Sequence, residues 1–413
     1  MTSLSPLRRR WFILAIIFFA VLLNYIDRQI LSILKPTLKV EFGFDDRGYA
    51  LLVNVFTAGY AIMYPVAGWL VDRFGARVVM LTGIVTWSIA CIGAGLTRSF
   101  GAFGFFRGLL GIAEPSAFPA QVRVVTMWFP GSLRATANSV SIAGGTLGAV
   151  IAPALVAWLA LTFNWHAAFF VPGILGLVIA VLWYFVYRDP PPEVVAEVAS
   201  SLPATDDTRF SWPQLWRTQT LWAILLIRFI SDPVWYFCLF WLPGYLQENS
   251  GLTLAQVGKV GWIPFLAADI GAIASAMWSD RMVRRGARPL IARKKMLTVM
   301  ACLVPFCALT PHLPHPYVTL AIFSLVAAGC LSWLFSLSVV IAETFPARNV
   351  ASVLGIAGGC GAVGAMVFNT FVGEMMSTLG PGRVFAVMAF MHPIVSVLLW
   401  VMVRPEKPKA VVT

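Results

Sequence analysis

The chain has 413 residues, of which 59% are hydrophobic and 12% are charged, and its formal net charge is +12 at pH 7. Because an average soluble domain carries about 25% charged residues, this composition excludes an ordinary soluble domain and indicates a polytopic membrane protein whose surroundings are the lipid bilayer. The positive charge would suit a nucleic-acid partner, but the basic residues concentrate between alternate apolar runs, so we expect no nucleic-acid role.

Apolar runs follow one another along the whole chain. A spanning helix needs about 20 consecutive apolar residues, and twelve segments meet or approach this length. The first six lie at residues 11–34, 49–70, 78–96, 100–123, 137–163 and 168–187. The second six lie at residues 220–246, 257–279, 296–309, 317–341, 351–376 and 384–403. We therefore predict an all-α membrane protein with twelve transmembrane helices.

The basic residues indicate the orientation. If both termini are cytoplasmic, the tails and the even-numbered connections hold most of the Lys and Arg, including a dense run at residues 281–295. Cytoplasmic loops of membrane proteins carry such an excess. We predict a multi-pass protein of the cell's inner membrane with both termini in the cytoplasm.

Four ionisable residues interrupt the first and fourth spans: Asp27 beside Arg28, and Arg107 followed by Glu114. A charge at the centre of a spanning helix costs about 3 kcal/mol on insertion scales, so such residues face a protein interior or a wet cavity and mark substrate or proton paths. The plainer alternative is a neutralised pair that only holds helices together.

The positions of these residues favour an anion site. At about 1.5 Å rise per residue, Arg28 and Arg107 lie at one depth, and Glu114 lies two turns from Arg107 on the same helix face. Two guanidinium forks at one level suit a carboxylate, which each can bind through two hydrogen bonds. A carboxyl beside them is protonated when desolvated and ionised when an arginine approaches. We hypothesise that protonation of Asp27 and Glu114 frees the two arginines to hold the carboxylate of an organic anion.

Other residues of the spans give weaker indications of a functional role. Arg228 and Asp232, four residues apart in the seventh span, are expected to pair with each other. Trp235 and Tyr236, at the depth equivalent to Arg28, are predicted walls of the pocket. The six cysteines all lie in predicted spans and show no metal-ligand or disulfide spacing, so we expect them to behave as small apolar residues. We expect no cofactor besides the coupling proton.

Internal repetition divides the chain into halves. The pattern Phe-Pro followed by Ile-Ala-Gly-Gly occurs at residues 129–145 and again at 345–359. The polar, proline-containing stretch between the halves is typical of a cytoplasmic linker. We predict an N-terminal six-helix bundle at residues 1–187, a linker at 188–218 and a C-terminal six-helix bundle at 219–413, in a protein that acts as a monomer.

Residues 68–77 carry a pattern that resembles a family signature. Gly68, Asp72, Arg73, Gly75 and Arg77 match every fixed position of G-x-x-x-D-R-x-G-x-R, the loop between the second and third helices of the major facilitator superfamily. The resemblance implies two six-helix bundles with the substrate held between them near the middle of the membrane. It also implies that these five residues form a gate rather than a substrate site.

Within that superfamily the chain resembles the anion:cation symporter family, and most of all its hexuronate branch. The segments that carry this similarity are residues 24–28, 107–119, 128–130, 231–243 and 353–359. The resemblance implies uptake of sugar acids and makes Asp27 and Glu114 the proton-coupling carboxylates. It adds Tyr25 and Tyr60 as contacts to substrate hydroxyl groups.

Two features near this site depart from relatives or from regular helix. Gly144 and Gly145 occupy the part of the fifth helix where the galactonate branch carries a polar Gln, so we expect that contact to be missing and the pocket to be roomier there. Pro115 follows Glu114 and is expected to kink the fourth helix, because it removes a backbone hydrogen bond.

We therefore expect a secondary active transporter that imports a hexuronate or related sugar acid together with protons by alternating access. An enzyme is not expected, since no metal-ligand set or nucleophile motif is present. Two alternatives stay open at this point. One is a symporter of another carboxylate, such as galactonate, glucarate, tartrate or an aromatic acid, and the other is a non-transporting membrane sensor or receptor on the same fold.

Overall fold

The computed structural model describes residues 6–200, 210–313 and 315–404, and all regular secondary structure in these ranges is helical. The first part of the chain forms α1 (Pro6–Ile33), α2 (Lys35–Phe42), α3 (Asp46–Leu96), α4 (Phe100–Ala113), a 3₁₀ turn (Glu114–Ser116), α5 (Ala117–Trp128), α6 (Gly131–Thr162) and α7 (Ala167–Val186).

Ten helices and one 3₁₀ segment follow. They are α8 (Pro192–Ser200), α9 (Trp212–Trp216), α10 (Gln219–Phe240), α11 (Leu242–Glu248), α12 (Leu254–Val260), α13 (Ile263–Arg284), α14 (Pro289–Ala301), the 3₁₀ segment (Val304–His312), α15 (Pro316–Thr344), α16 (Ala347–Thr378) and α17 (Pro381–Met402).

These helices account for the twelve predicted membrane spans. Within the described ranges, nine helices are long and apolar enough to cross a membrane, with α12 and α13 counted as one. The longest, α3, has non-helical backbone at Gly75 and contains the second and third spans. The fourth and ninth spans complete the set, and each is interrupted by 3₁₀ structure.

Proline explains where these two spans are interrupted. Pro115 lacks the N–H that would bond to a carbonyl four residues earlier, and α4 gives way to the 3₁₀ turn at Glu114 before α5 begins. Pro305 and Pro311 lie inside the 3₁₀ segment of the ninth span. The local break expected at Pro115 is confirmed.

Glycine allows neighbouring helices to come into backbone contact. A Cβ atom at Gly111 of α4 would overlap the backbone oxygen of Phe56 on α3, and a Cβ atom at Gly144 of α6 would overlap that of Phe18 on α1. Helices in membranes pack closely through small residues of this kind. These contacts hold α4 against α3 and α6 against α1, and α1 and α4 carry three of the four ionisable residues.

The chain forms two compact units. The first comprises Met1–Ala204 with Leu239–Trp262, and the second comprises Thr205–Cys238 with Ile263–Thr413. The seventh predicted span is thus divided between the units. The domain boundaries given above, 1–187, 188–218 and 219–413, stay a prediction.

The second unit has an apolar core of its own. Met296, Leu297, Trp333 and Val395 are almost fully buried in it. The indole N–H of Trp333 donates to the backbone oxygen of Leu297 at 2.8 Å. This bond pairs the one polar group of that side chain inside the core.

Candidate functional site

The ionisable residues of the first and fourth spans form one buried cluster in the first unit. Asp27 and Arg28 lie on α1, and these residues are 1% and 8% exposed. Arg107 lies on α4 and is 1% exposed, and Glu114 lies in the 3₁₀ turn and is fully buried. The sequence therefore predicted a set of residues that the fold brings together.

Arg28 and Glu114 form a buried ion pair. The Nε of Arg28 donates to Oε2 of Glu114 at 2.6 Å, and its Nη2 donates to the side-chain oxygen of Asn24 at 3.0 Å. Asn24 is one helical turn before Arg28, so it fixes the direction of the guanidinium group along α1. Glu114 is the first residue of the turn that Pro115 creates, and this break sets where its carboxylate lies.

Aromatic rings surround the guanidinium group of Arg28. Its Cζ lies 5.0 Å from the ring centroid of Tyr25, 4.6 Å from that of Tyr60 and 5.7 Å from that of Phe56. Rings within about 6 Å attract a guanidinium group through their faces. The predicted substrate contacts Tyr25 and Tyr60 thus border Arg28, although their role toward a substrate stays a prediction.

Arg107 is enclosed more completely and has fewer partners. Its Nη1 lies 3.5 Å from the backbone oxygen of Asp27, and its Cζ lies 4.9 Å from the ring centroid of Phe56. Within the part of the chain that the structure describes, its Nε and Nη2 have no hydrogen-bond acceptor. A buried cation with open donor positions is costly unless a ligand or water accepts from it, so this arrangement suits an anion.

The carboxylate of Asp27 has a single side-chain contact that the structure identifies. Its Oδ1 lies 3.4 Å from Sγ of Cys91 on α3, and among the described residues its Oδ2 has no donor. Cys91 also lies 3.3 Å from the backbone oxygen of Phe169 on α7. Asp27 therefore lies where α1, α3, α4 and α7 meet.

The charges of this cluster are balanced in one protonation state only. The net charge of two arginines and two carboxylates is zero when all four are ionised, and it is +1 when one carboxyl is protonated. Because an uncompensated charge is expensive inside a membrane protein, a cluster that takes up a proton gains affinity for an anion. This is the chemistry that the arrangement can perform.

Sequence reasoning assigned no site role to three members of this cluster. Asn24 precedes Arg28 by one turn, and Phe56 precedes Tyr60 by one turn, so helical spacing was a usable signal for both. Cys91 had no such signal, since it lies 64 residues from Asp27 along the chain.

The space beside Gly145 is filled rather than open. A Cβ atom at Gly145 would lie 2.6 Å from a ring carbon of Tyr25. The glycine on α6 therefore makes room for the ring that borders Arg28, and the expectation of a roomier pocket at this position is wrong.

The five residues of the superfamily signature lie at the break in α3. Gly75 has φ +80°, a conformation that side chains rarely adopt, which explains a glycine here. Arg77 donates from Nη2 to the backbone oxygen of Tyr184 on α7 at 3.1 Å. Asp72 and Arg73 are exposed and Gly68 is half-buried. Their gating role stays a prediction.

A second charged cluster, which the sequence did not reveal, joins α2, the start of α3 and α11. Lys35 lies 2.7 Å from Asp46 and 2.6 Å from Glu248, and Lys39 lies 3.2 and 3.0 Å from the same two carboxylates. Burial lowers the pKa of Lys39, but the hydrogen bonds and charges of Glu248 and Asp46 outweigh it, so that pKa lies above its usual range. Lys39 therefore stays charged at neutral pH.

The predicted residues of the seventh span lie in the second unit. Arg228 pairs with Asp232 on α10 at 3.2 Å, as their spacing predicted. Trp235 and Tyr236 are half-buried, and their role as pocket walls stays a prediction. In the described ranges no group of three or more His, Cys, Asp or Glu side chains is placed to hold a metal ion.

Comparisons with known proteins agree with this fold. The family model described as Major Facilitator Superfamily matches residues 17–293, and one described as Sugar (and other) transporter matches residues 186–407. Among solved structures, a D-xylose-proton symporter aligns with a TM-score of 0.77 at 16% identity, covering 97% of this chain and 99% of that one. A bacterial homolog of the human lysosomal transporter Spinster aligns with a TM-score of 0.76 at 18% identity, covering 98% of both chains.

Proteins that are similar in sequence include transporters of hexuronate and galacturonate. The hexuronate transporter of Escherichia coli strain K12 is 26% identical over 410 residues, which cover 97% of this chain and 95% of that protein. The galacturonate transporter of Dickeya chrysanthemi is 28% identical over 323 residues, which cover 76% of this chain and 94% of that protein. With its twelve spans and the match over residues 17–293, the chain belongs to the major facilitator superfamily and is a membrane transporter rather than an enzyme.

Proposed function

We propose that this protein imports a sugar-acid anion, with hexuronate the leading substrate, and that protons drive the import. The observation that carries the proposal is the buried ion pair of Arg28 and Glu114 at 2.6 Å, next to Arg107 with its open donor positions. The named relatives that transport hexuronate and galacturonate support the substrate class.

The coupling follows from competition for one guanidinium group. Ionised Glu114 occupies Arg28 and leaves it less able to bind a substrate carboxylate. A proton on Glu114 removes the competing charge, and Arg28 and Arg107 then bind the anion. A proton on Asp27 acts in the same direction, because it removes a negative charge that acts on Arg107. The proton and the anion therefore enter the cluster together.

The aromatic surroundings support a hydroxylated substrate. Tyr25 and Tyr60 border Arg28 and carry phenol groups that can bond to sugar hydroxyls. A sugar acid presents its carboxylate at one end and hydroxyl groups along the rest. We propose that the arginines bind the carboxylate and the tyrosines contact the hydroxyls.

We also propose an orientation, a location and an oligomeric state for the protein. Both termini are cytoplasmic, in keeping with the positive-inside distribution of Lys and Arg, the protein lies in the inner membrane, and it works as a monomer. It needs no organic cofactor or metal, since the proton is the coupling ion. Residues 68, 72, 73, 75 and 77 act as the gate.

Uptake into proteoliposomes tests this function. Purified protein is reconstituted, and entry of labelled D-glucuronate and D-galacturonate is measured with and without an imposed inward proton gradient. We expect saturable uptake that accumulates only with the gradient. Saturable uptake that ignores the gradient would contradict proton coupling.

The substrate panel separates the alternatives. Galactonate, glucarate and tartrate are offered as competitors of labelled glucuronate. Competition by one of them at lower concentration than glucuronate assigns the protein to that carboxylate instead. Binding of a sugar acid without any transport would favour a membrane sensor.

A further inference from the structure

Cys91 is a member of the buried cluster that the mechanism above does not use. It lies on α3 and is 2% exposed. Its Sγ is 3.4 Å from Oδ1 of Asp27 and 3.3 Å from the backbone oxygen of Phe169. Both distances are within the range of hydrogen bonds that involve sulfur.

The thiol has two acceptors and one proton. It can donate to Asp27 or to Phe169, but not to both at once. A hydrogen bond to an ionised carboxylate is stronger than one to a neutral carbonyl, so the thiol donates to Asp27 when that carboxyl is ionised. When Asp27 is protonated this advantage is lost, and the carbonyl of Phe169 becomes the better acceptor.

We propose that Cys91 is a positioning residue for proton coupling: its thiol stabilises ionised Asp27 and turns to the backbone of α7 when Asp27 takes up a proton. This inference rests on the proposed function, because it assumes that Asp27 exchanges protons during transport. In this role the Cys91 thiol is a donor that sets how readily the carboxyl of Asp27 is protonated. Its contact with Phe169 also links the protonation of Asp27 to α7.

The other charged groups around Asp27 are accounted for. Glu114 from the 3₁₀ turn and Arg107 from α4 act on its charge with opposite sign, and Cys91 comes from α3. α7 contributes a backbone oxygen through Phe169. Among these groups Cys91 is the neutral donor, so its removal changes the proton affinity of Asp27 without changing the charge of the cluster.

Infrared spectroscopy of the purified protein in liposomes tests this directly. The S–H stretching band of Cys91 is identified by its loss in Cys91→Ser and in Cys91→Ala, and the carboxyl band of Asp27 by its loss in Asp27→Asn. We expect the S–H band to move to higher frequency as acid protonates Asp27, because the thiol then has a weaker acceptor. In Asp27→Asn the band should stay fixed across the titration.

The midpoint of the carboxyl band gives a second readout. Without its thiol donor, Asp27 should hold its proton to a pH about half a unit higher in Cys91→Ala, while Cys91→Ser, which keeps a donor, should move the midpoint back toward the wild-type value. Cys307 is a matched control, since this buried thiol contacts the backbone oxygen of Phe385 at 3.4 Å in the second unit. Cys307→Ala should leave the midpoint unchanged.

Two results would overturn the inference: an S–H band that does not move with pH in the wild type, or an unchanged carboxyl midpoint in Cys91→Ala. Because the S–H band is measured in the wild type, a poorly folding alanine variant does not prevent the test. A separate measurement tests the proposed function: it fails if wild-type uptake of labelled D-glucuronate does not depend on the proton gradient.

Discussion

Replacing Glu114 with glutamine separates the two roles of Arg28. Glutamine has nearly the same size as glutamate, so the 3₁₀ turn at Glu114–Ser116 keeps its packing. The carboxylate that holds Nε of Arg28 at 2.6 Å becomes a neutral amide. Glu114→Gln therefore mimics the protonated state at every pH and leaves Arg28 open to a substrate carboxylate.

The ion pair sets the size of the effect. A hydrogen bond to a charged group contributes about 1.5–3 kcal/mol, and the substrate must displace this bond from Arg28 in the wild type. Since about 1.4 kcal/mol corresponds to a tenfold change in affinity, Glu114→Gln should bind the anion about ten- to a hundredfold more tightly than the wild type does at neutral pH.

Titration calorimetry with D-glucuronate at several pH values measures this. In the wild type, affinity should rise as pH falls, because protons remove the ionised Glu114 that competes for Arg28. In Glu114→Gln, affinity should be high and nearly independent of pH, while gradient-driven accumulation is lost. Asp232→Asn is the control, since it removes a buried carboxylate from an arginine in the second unit and should leave the pH dependence of affinity as in the wild type.

One result would refute the reasoning. If Glu114→Gln binds D-glucuronate no more tightly than the wild type at neutral pH and keeps the wild-type pH dependence, Glu114 does not compete with the substrate for Arg28. The ion pair would then be a structural contact between helices, which is the plainer alternative for ionisable residues in these spans.

Three further substitutions probe the rest of the cluster. Asp27→Asn should keep counterflow exchange of labelled D-glucuronate and lose accumulation against a gradient; accumulation at the wild-type level would remove Asp27 from coupling. Arg107→Ala should weaken D-glucuronate binding in calorimetry by at least about a hundredfold, since truncating a buried charged contact costs about 3 kcal/mol or more, and unchanged affinity would exclude Arg107 from the site. Gly145→Ala should weaken binding severalfold, because the new Cβ lies 2.6 Å from the Tyr25 ring and displaces it from Arg28, whereas the same change at Gly355, where a Cβ meets open space, should have no effect.

Much of the fold could be predicted from the sequence because hydrophobic length is a strong signal in membrane proteins. The twelve spans and the break at Glu114 followed from apolar runs and from one proline. The internal repeat and the signature at residues 68–77 supplied the family. The composition of the seventh span did not indicate that its last residues, from Leu239 onward, belong to the first unit.

The four ionisable residues of the site could be predicted from the sequence, but the way in which they pair could not. Depth along each helix placed Arg28 and Arg107 at one level, and in the structure both guanidinium groups lie against the Phe56 ring. Which carboxylate pairs with which arginine depends on how each helix is rotated about its axis, and the sequence spacing of one helix does not contain the rotation of another. The Arg28–Glu114 pair and the Cys91 contact with Asp27 both depend on that rotation.

A buried ion pair in each unit is built differently, and this difference determines where protonation can shift the conformational equilibrium. Arg228 and Asp232 lie one turn apart on α10, so a single helix sets their separation in any conformation. Arg28 and Glu114 come from α1 and from the turn that ends α4, so a shift between these elements changes their separation. A proton biases a conformational equilibrium only by the difference in its binding free energy between the states. That difference is large for a pair that spans two elements and small for a pair within one helix, and we therefore expect the driving proton to act at Glu114 rather than at Asp232.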